Sequence, residues 1–341
     1  MSHPTIAVVS NSTGKDSGIT AELAIETHGP ENVVLALADT GNEHDAVYEH
    51  WEYQKQRYAG SKHVVLKADF TDRIAKKREY VQNVWPTKGV PDPIIANALS
   101  VLHPTGVPFL DLCLWKGRFP SRMAQFCTQE LKRRPLDNYM LDLMAQGFEV
   151  ESWRGIRRDE SENRRHAKAI EIAAEGWTVV HPIVDMTADQ VIAAHHRRGL
   201  KLNPLYMMGM GRVGCMPCIN VGKDELLEIS KRFPKHVDKV REWERLVSMA
   251  SKRGWTTFFT DSALESNTPR EGWEHTTRAK PDDNGEIYYV DVWIEPDHEI
   301  HERCRVDKRI EWATTARGGK QIDFIRLEPA QQCSSVYGLC E

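Results

Sequence analysis

A polar loop near the N-terminus combines residue types that can hold a phosphate or sulfate group. The string Ser12-Thr-Gly-Lys-Asp-Ser17 follows an apolar, β-branched segment, Thr5 to Val9, and precedes a segment with helical periodicity. At such a junction, backbone N–H groups and a helix N-terminus attract an anion. Gly14 permits close approach, Lys15 supplies positive charge, and Asp16 suits a helix cap or a magnesium contact. The loop therefore predicts an anion site.

The loop is not a Walker loop. That motif needs a glycine five residues before its Gly-Lys pair and a serine or threonine directly after it. Here position 9 is Val and position 16 is Asp. A plain strand–helix turn is the alternative explanation of the string.

Arginines form a second candidate anion site. The string Gly155-Ile-Arg-Arg-Asp-Glu-Ser161 and Arg164 follow a predicted strand, and ligands of parallel sheets bind at strand ends. The planar guanidinium group suits phosphate or sulfate oxygens. Because acidic residues are interleaved, a solvated charged surface explains the same pattern.

Five of the seven cysteines are candidates for chemistry. Gly214-Cys-Met-Pro-Cys218 has the spacing of a redox dithiol, of half a zinc site or of part of an iron–sulfur cluster. A structural pair is the further alternative. Cys127 lies 88 residues before Cys215, and Cys333 and Cys340 lie in the tail. Cys113 and Cys304 are expected to be ordinary apolar side chains.

The predicted elements place these strings in an α/β fold. Strands near 5–9, 33–38 and 62–66 alternate with helices near 19–28 and 46–58. This order predicts right-handed crossovers and a doubly wound parallel sheet with helices on both faces. Further predictions are a helix at 131–145, strands at 149–153 and 177–182, and a helix at 187–199 with Thr187 as N-cap. A helical stretch at 225–253 and a strand at 286–294 follow.

The change of pattern near residue 225 predicts two parts. Residues 1–225 form a nucleotide-binding α/β domain with the anion loop. Residues 226–341 form a helical and loop-rich C-terminal extension that carries the tail cysteines.

Composition sets broad limits on function. Of 341 residues, 40% are hydrophobic and 28% are charged, and the net charge is −4. This composition excludes a disordered chain and gives no bulk preference for nucleic acid. No membrane span or secretory leader is evident, so we expect a cytoplasmic protein with reduced thiols. The local basic segments Lys132-Arg-Arg134 and His195-His-Arg-Arg198 could still face RNA or DNA.

Together the strings resemble a known family. The loop is similar to the pyrophosphate loop, Ser-Gly-Gly-x-Asp-Ser, of the adenine-nucleotide α-hydrolase superfamily, with Thr13 in place of a glycine. Within that superfamily the chain resembles the phosphoadenosine-phosphosulfate (PAPS) reductase group over about residues 5–225. The strings that carry this resemblance are Ala38-Asp-Thr-Gly41, Phe126-Cys-Thr-Gln-Glu-Leu-Lys132, Gly155 to Arg164, His181-Pro-Ile183 and Asn203-Pro-Leu-Tyr206.

The resemblance implies an adenine nucleotide as ligand: ATP, with Mg²⁺, or adenylyl sulfate or PAPS. It implies catalytic roles for Lys15 and Asp16. It also implies nucleotide contacts by the following residues: Ser10, Ser12, Thr13, Gly14, Lys15, Asp16, Ser17, Asp39, Thr40, Gly155, Arg157 and Arg164.

The resemblance also implies a [4Fe–4S] cluster on Cys127, Cys215 and Cys218. Related enzymes often carry two adjacent cysteines in the first segment, whereas here Phe126 occupies one of those positions. One ligand must then come from elsewhere, and the tail offers Cys333 and Cys340, of which either can be the ligand and the other the catalytic thiol of a sulfonucleotide reductase. We choose Cys333 as the fourth ligand and Cys340, which follows a glycine by two positions, as the catalytic thiol.

Three functions are compatible with these features. The first is ATP-dependent adenylation of an acceptor, such as RNA or DNA, for sulfur transfer, which the intact Lys15-Asp16 pair favours. The second is a reductase that releases sulfite from adenylyl sulfate or PAPS with a thiol electron donor. The third is a non-catalytic accessory protein that binds a nucleotide and a cluster. A homodimer is compatible with all three.

Overall fold

The computed structural model describes residues 4–261, 264–266, 268–281 and 286–315. Its centre is a six-stranded sheet in the order β3-β2-β1-β4-β6-β5, in which β5 alone runs antiparallel to its neighbour. The strands are β1 (Thr5–Ser10), β2 (Val33–Asp39), β3 (Lys62–Lys67), β4 (Glu149–Arg154), β5 (Ile170–Ile172) and β6 (Thr178–Val180).

Helices cover both faces of this sheet. Alternate residues of a strand point to opposite faces, so Ala7 and Val9 belong to one buried cluster and Val8 to another. The first cluster includes residues of α1 (Lys15–His28), α2 (Asp45–Arg57) and α7 (Ala188–Arg198), and the second includes residues of α6 (Arg134–Ala145). The doubly wound α/β fold is thus confirmed.

A third buried cluster is helical. It joins α3 (Thr71–Val84), α4 (Asp92–Val101) and α5 (Pro108–Lys116) to α8 (Lys223–Arg232), α9 (Pro234–Ala250) and α11 (Val306–Thr314). The rings of Phe109 and Trp243, for example, stack with their centroids 5.3 Å apart. This cluster therefore draws residues from both sides of position 225, and the proposed division there stays a prediction.

Two elements differ from the sequence expectation because of proline. The stretch expected to be helical over 225–253 is two helices, α8 and α9, separated at Phe233 and Pro234. The helix expected from 131 is preceded by a π-helical segment, Thr128–Arg133, in which the Arg134 N–H donates to the Gln129 carbonyl. Pro135 has no N–H to donate to a carbonyl of the preceding turn. This missing donor accounts for the change from α-helical to π-helical hydrogen bonding.

The C-terminal part contains a small antiparallel sheet in the order β7-β9-β8. The expected strand at 286–294 is β9 (Ile287–Ile294), paired with β7 (Glu265–Ser266) and β8 (Glu274–Pro281), and α10 (Asp297–Cys304) follows it. β8 has no alternating apolar pattern, which is why the sequence did not reveal it. Among the described residues, no helix has the length and apolar character needed to cross a membrane.

Candidate functional site

The anion loop lies where β1 ends and α1 begins, and its own side chains hold its shape. Ser17 Oγ donates a hydrogen bond to the Gly14 carbonyl (2.9 Å). The Thr13 N–H donates to Asn11 Oδ1 (2.8 Å), and this oxygen also lies 3.2 Å from Ser17 Oγ. Side chains of the loop itself therefore fix its backbone conformation.

Thr13 has an unusual backbone conformation. Its φ of 62° lies in the left-handed region, which is costly for a residue with a branched side chain. Asn203 Nδ2 donates to Thr13 Oγ1 (3.1 Å) and offsets part of this cost. The positive φ explains in physical terms why a glycine suits this position in similar loops.

Three charged side chains meet at the start of α1. Lys15 Nζ lies 3.2 Å from Asp16 Oδ2, and Arg157 Nε lies 2.6 Å from Asp16 Oδ1. Burial opposes the charge of Arg157, but Asp16 and Asp159 raise its pKa. Both oxygens of Asp16 already face a cation, so a magnesium ion would have to compete with Lys15 or Arg157 for this carboxylate.

Gly155 lets the end of β4 approach the first turn of α1. A Cβ atom here would lie 2.9 Å from the carbonyl carbon of Asp16 and 3.1 Å from the Ser17 nitrogen. Any other residue would therefore push the sheet away from the loop. Gly155 is thus needed for a close backbone contact, which the Gly-x-Arg string alone does not reveal.

Two residues from later in the chain support Lys15 through its backbone. The Lys15 N–H donates to Tyr206 Oη (3.0 Å), and a ring nitrogen of His195, Nε2, lies 2.7 Å from the Lys15 carbonyl. That carbonyl can only accept, so Nε2 carries the proton. Burial lowers the pKa of His195, which favours a neutral ring. Tyr206 lay in a string noted in the sequence, but its role was not predicted.

The loop opens into a cleft of about 750 Å³. Nine of the predicted nucleotide contacts line it: Ser10, Ser12, Gly14, Lys15, Asp16, Ser17, Gly155, Arg157 and Arg164. Three cations that the sequence analysis did not place in the nucleotide site also line it, namely Lys132, Arg154 and Arg212. With six cationic and three acidic side chains in its wall, the cleft favours an anionic ligand.

Asp39 and Thr40 lie outside this lining. Burial opposes ionisation of Asp39, but Lys67 (2.8 Å) and the Tyr48 hydroxyl (2.8 Å) lower its pKa. Thr40 Oγ1 donates to Glu43 Oε1 (2.7 Å). These contacts order the turn after β2, and the predicted contacts of both residues with adenosine stay predictions.

The three described cysteines of the predicted cluster lie near Lys132. The negative forms of Cys215, Cys218 and Cys127 all raise the pKa of the Lys132 ammonium, Cys215 most strongly. Lys132 is exposed to solvent and lines the wall of the cleft. One cation thus connects the anion cleft with the thiols.

Cys215 is the thiol with the best-defined partners. Its Sγ lies 3.4 Å from Thr40 Oγ1 and 3.7 Å from Glu43 Oε1. Burial raises the pKa of Cys215 to about 11, against the opposing effect of Lys132. In this state the thiol is protonated at neutral pH and is a poor nucleophile.

The described residues do not by themselves form a metal site. Within these ranges no group of three or more His, Cys, Asp or Glu side chains is arranged to hold a metal ion. The assigned fourth ligand Cys333 and the catalytic thiol Cys340 lie outside the described residues. Cys113 and Cys304 are buried, as expected of apolar side chains.

Comparison with known proteins agrees with the sequence motifs. Residues 111–221 match the family model of the phosphoadenosine phosphosulfate reductase domain. The chain is 40% identical over 352 aligned positions to an "Uncharacterized 37.8 kDa protein in gpa 5'region" of Escherichia phage 186, with 99% of this chain and 97% of the relative covered.

A crystal structure of phosphoadenylyl-sulfate (PAPS) reductase from Candida auris, in a phosphate complex, is a remote structural neighbour. It is 16% identical with a TM-score of 0.37, and the match covers 63% of this chain and 82% of that one. Such a TM-score does not establish a common fold. The matched stretch contains Cys127, Gly155 to Arg164 and the Cys215–Cys218 pair, so the chain carries a domain of the PAPS reductase family over residues 111–221.

Proposed function

We propose that this protein binds ATP in the cleft and transfers the adenylyl group to an acceptor that then receives sulfur. The observation that carries the proposal is the intact loop, in which Asp16 pairs with both Lys15 and Arg157 in the wall of a cation-rich cleft. A leaving pyrophosphate is a concentrated anion, and preformed cations stabilise it as it departs.

The reaction forms one bond and breaks another at the α-phosphorus. A nucleophilic atom of the acceptor attacks this phosphorus, and the bond to the bridging oxygen of pyrophosphate breaks. Lys15 and Arg157 neutralise the leaving group, while Lys132 is placed to contact a phosphate further along the cleft. Sulfur supplied by a donor then displaces AMP from the acceptor. Mg²⁺, if bound with ATP, would add further charge neutralisation.

Reduction of adenylyl sulfate or PAPS is the second candidate, because the matching family model is that of a PAPS reductase domain. That reaction needs a reactive thiolate. The pKa of Cys215 is raised to about 11, so this thiol is not activated, and the candidate nucleophile is Cys340, which the family resemblance suggests. The two candidates therefore differ in the products that they form and in the thiol that they require.

Product analysis separates the two candidates. Once the right acceptor is present, we expect magnesium-dependent formation of AMP and pyrophosphate from ATP. We expect Lys15→Ala to weaken ATP binding by roughly 1.5–3 kcal/mol. Lys55→Ala is the control, because Lys55 pairs with Glu52 on the exposed face of α2. Sulfite release from adenylyl sulfate or PAPS that is abolished by Cys340→Ser, without pyrophosphate formation from ATP, would establish the reductase instead.

The [4Fe–4S] cluster on Cys127, Cys215, Cys218 and Cys333 is part of the proposal, but no step above depends on it. Its support is the resemblance carried by the segments around Cys127 and Cys215–Cys218, because the described residues alone contain no group of three metal-binding side chains. Anaerobically purified protein should contain about four irons and four sulfides per chain. Cys127→Ser should lower both contents, whereas Cys304→Ala should not. Full zinc occupancy without sulfide would replace the cluster with a zinc site.

A further inference from the structure

A second basic region lies outside the cleft, on the helical part of the molecule. It is formed by α3, by the C-terminal end of α5 with the residues just after it, and by the segment that follows α9. We call it the basic–aromatic surface, and its members are Arg73, Lys76, Lys77, Tyr80, Trp115, Lys116, Arg118, Lys252, Arg253 and Trp255.

Two adjoining grooves make this surface continuous. Arg73, Lys77 and Trp115 line a groove of about 560 Å³, and Lys77 also lines a second groove of about 300 Å³ with Lys252 and Arg253. Asp72 is the acidic residue in the wall of the first groove, and the wall of the second contains none. The surface is therefore strongly positive on a chain whose net charge is −4.

The cations of this surface are not neutralised by neighbouring carboxylates. Within the described ranges, none of its seven lysines and arginines forms an ion pair. Elsewhere on the same helices, Arg241 pairs with Asp307 (2.7 Å) and Arg245 pairs with Glu242 (2.6 Å). Positive charge that is left unpaired and concentrated in a groove attracts a polyanion.

Lys116 shows how concentrated this charge is. Burial lowers its pKa, as do Arg73, Arg118 and Arg134, although the carboxylate of Glu130 acts in the opposite direction. The cations therefore lie near enough to repel each other. A bound anion would reduce this repulsion.

Aromatic rings are interleaved with the cations. The Arg73 guanidinium lies 4.6 Å and the Lys116 ammonium 3.9 Å from the centre of the Trp115 ring. Arg253 lies 5.9 Å from the Trp255 ring, and the Tyr80 side chain is 40% exposed. Cationic grooves with accessible aromatic rings are typical of proteins that hold single strands, because the phosphates contact the cations and the bases stack on the rings.

The surface leads toward the anion cleft. Lys116 and Arg118 lie 5.8 Å and 5.6 Å from the centre of the Phe126 ring. Phe126 precedes Cys127, and the π-helical segment that follows carries Lys132 into the cleft wall. A strand lying on the surface would thus be directed toward the nucleotide and the thiols.

We propose that the basic–aromatic surface binds a single-stranded segment of nucleic acid and presents it to the cleft. Its role as the adenylated acceptor rests on the proposed function, whereas its binding to the surface does not. An acidic protein segment would satisfy the cations but would leave the rings without bases to stack on.

Binding is measured by fluorescence anisotropy on the full chain, without ATP, using labelled single-stranded RNA and DNA of about 20 nucleotides. Lys252→Ala/Arg253→Ala should weaken binding about tenfold at physiological salt and make the slope of log affinity against log salt shallower by about 1.4. The matched control is Lys62→Ala/Arg57→Ala, which removes one lysine and one arginine that are exposed elsewhere, on β3 and α2.

The contribution of the rings is tested separately. Tyr80→Leu should weaken binding of the normal strand about fivefold but leave binding of an abasic strand unchanged. Equal binding of abasic and normal strands, equal binding of duplex, or an equal loss in the control variant would overturn the proposal. Circular dichroism establishes that each variant is folded.

The two proposals fail in different ways. If the wild-type protein forms AMP and pyrophosphate but does not bind the strands, the surface proposal is wrong and the proposed function stands. If it binds the strands as described but neither binds nor cleaves ATP, the surface proposal stands and the proposed function is wrong.

Discussion

Gly155→Ala tests whether the approach of β4 to α1 shapes the anion loop. The added Cβ would lie 2.9 Å from the Asp16 carbonyl carbon and 3.0 Å from its oxygen, about 0.5 Å inside ordinary van der Waals contact. Both atoms belong to the backbone, so no side-chain rotation relieves the overlap. The first turn of α1 must move, and Asp16 and Lys15 must move with it.

Overpacking of this kind costs about 1–3 kcal/mol of stability. Because Lys15 and Arg157 lose their alignment, we expect ATP affinity to fall by about tenfold as well. Denaturant unfolding measures the loss of stability, and isothermal titration calorimetry measures the loss of ATP affinity. Gly222→Ala is the matched control, since a Cβ at Gly222 meets nothing within 4 Å and its φ is −74°. If the two variants behave alike, the close contact does not shape the site.

Three further predictions concern side chains in and around the site and its helical support. Thr13→Gly should be more stable than Thr13→Ala by about 1 kcal/mol in denaturant unfolding, because both lose the bond from Asn203 but only glycine removes the positive-φ cost. Arg157→Gln should destabilise the fold by about 1.5–3 kcal/mol in the same assay, since Asp16 loses one charged hydrogen bond but keeps its contact with Lys15. Burial raises the pKa of Glu244 to about 7, so the folded state retains a proton that the unfolded state releases. Stability should therefore fall by up to about 3 kcal/mol as pH rises from about 4.5 to 7, and Glu244→Gln should flatten this dependence.

The sequence was most informative where a local pattern determines the structure. The apolar run Thr5 to Val9 followed by Ser12 to Ser17 predicted a strand, a loop and a helix, and the structure has them in that order. Thr187 was predicted as an N-cap, and it forms a capping box with Gln190. In each case the decisive interactions lie within a few residues of one another, so they can be recognised in the sequence.

Contacts between distant segments could not be predicted in the same way. Tyr206 reaches the Lys15 N–H across 191 positions, and His195 reaches the Lys15 carbonyl across 180. Nothing in the residues around Tyr206 or His195 indicates that partner. Only the packing of α7 and the segment after it against α1 brings them together.

Lys132 shows most clearly why the chemistry of the site depends on the tertiary structure. In the sequence it belongs to a basic triplet whose simplest explanation is solvated surface. In the structure it lines the anion cleft and interacts with Cys127, Cys215 and Cys218. The same ammonium lowers the pKa of the Cys215 thiol, although burial outweighs this effect, and it lines the cleft in which we propose that an anionic nucleotide binds. Lys132→Ala should therefore weaken nucleotide binding and slow alkylation of Cys215 in the free protein, whereas Lys132→Arg should retain both.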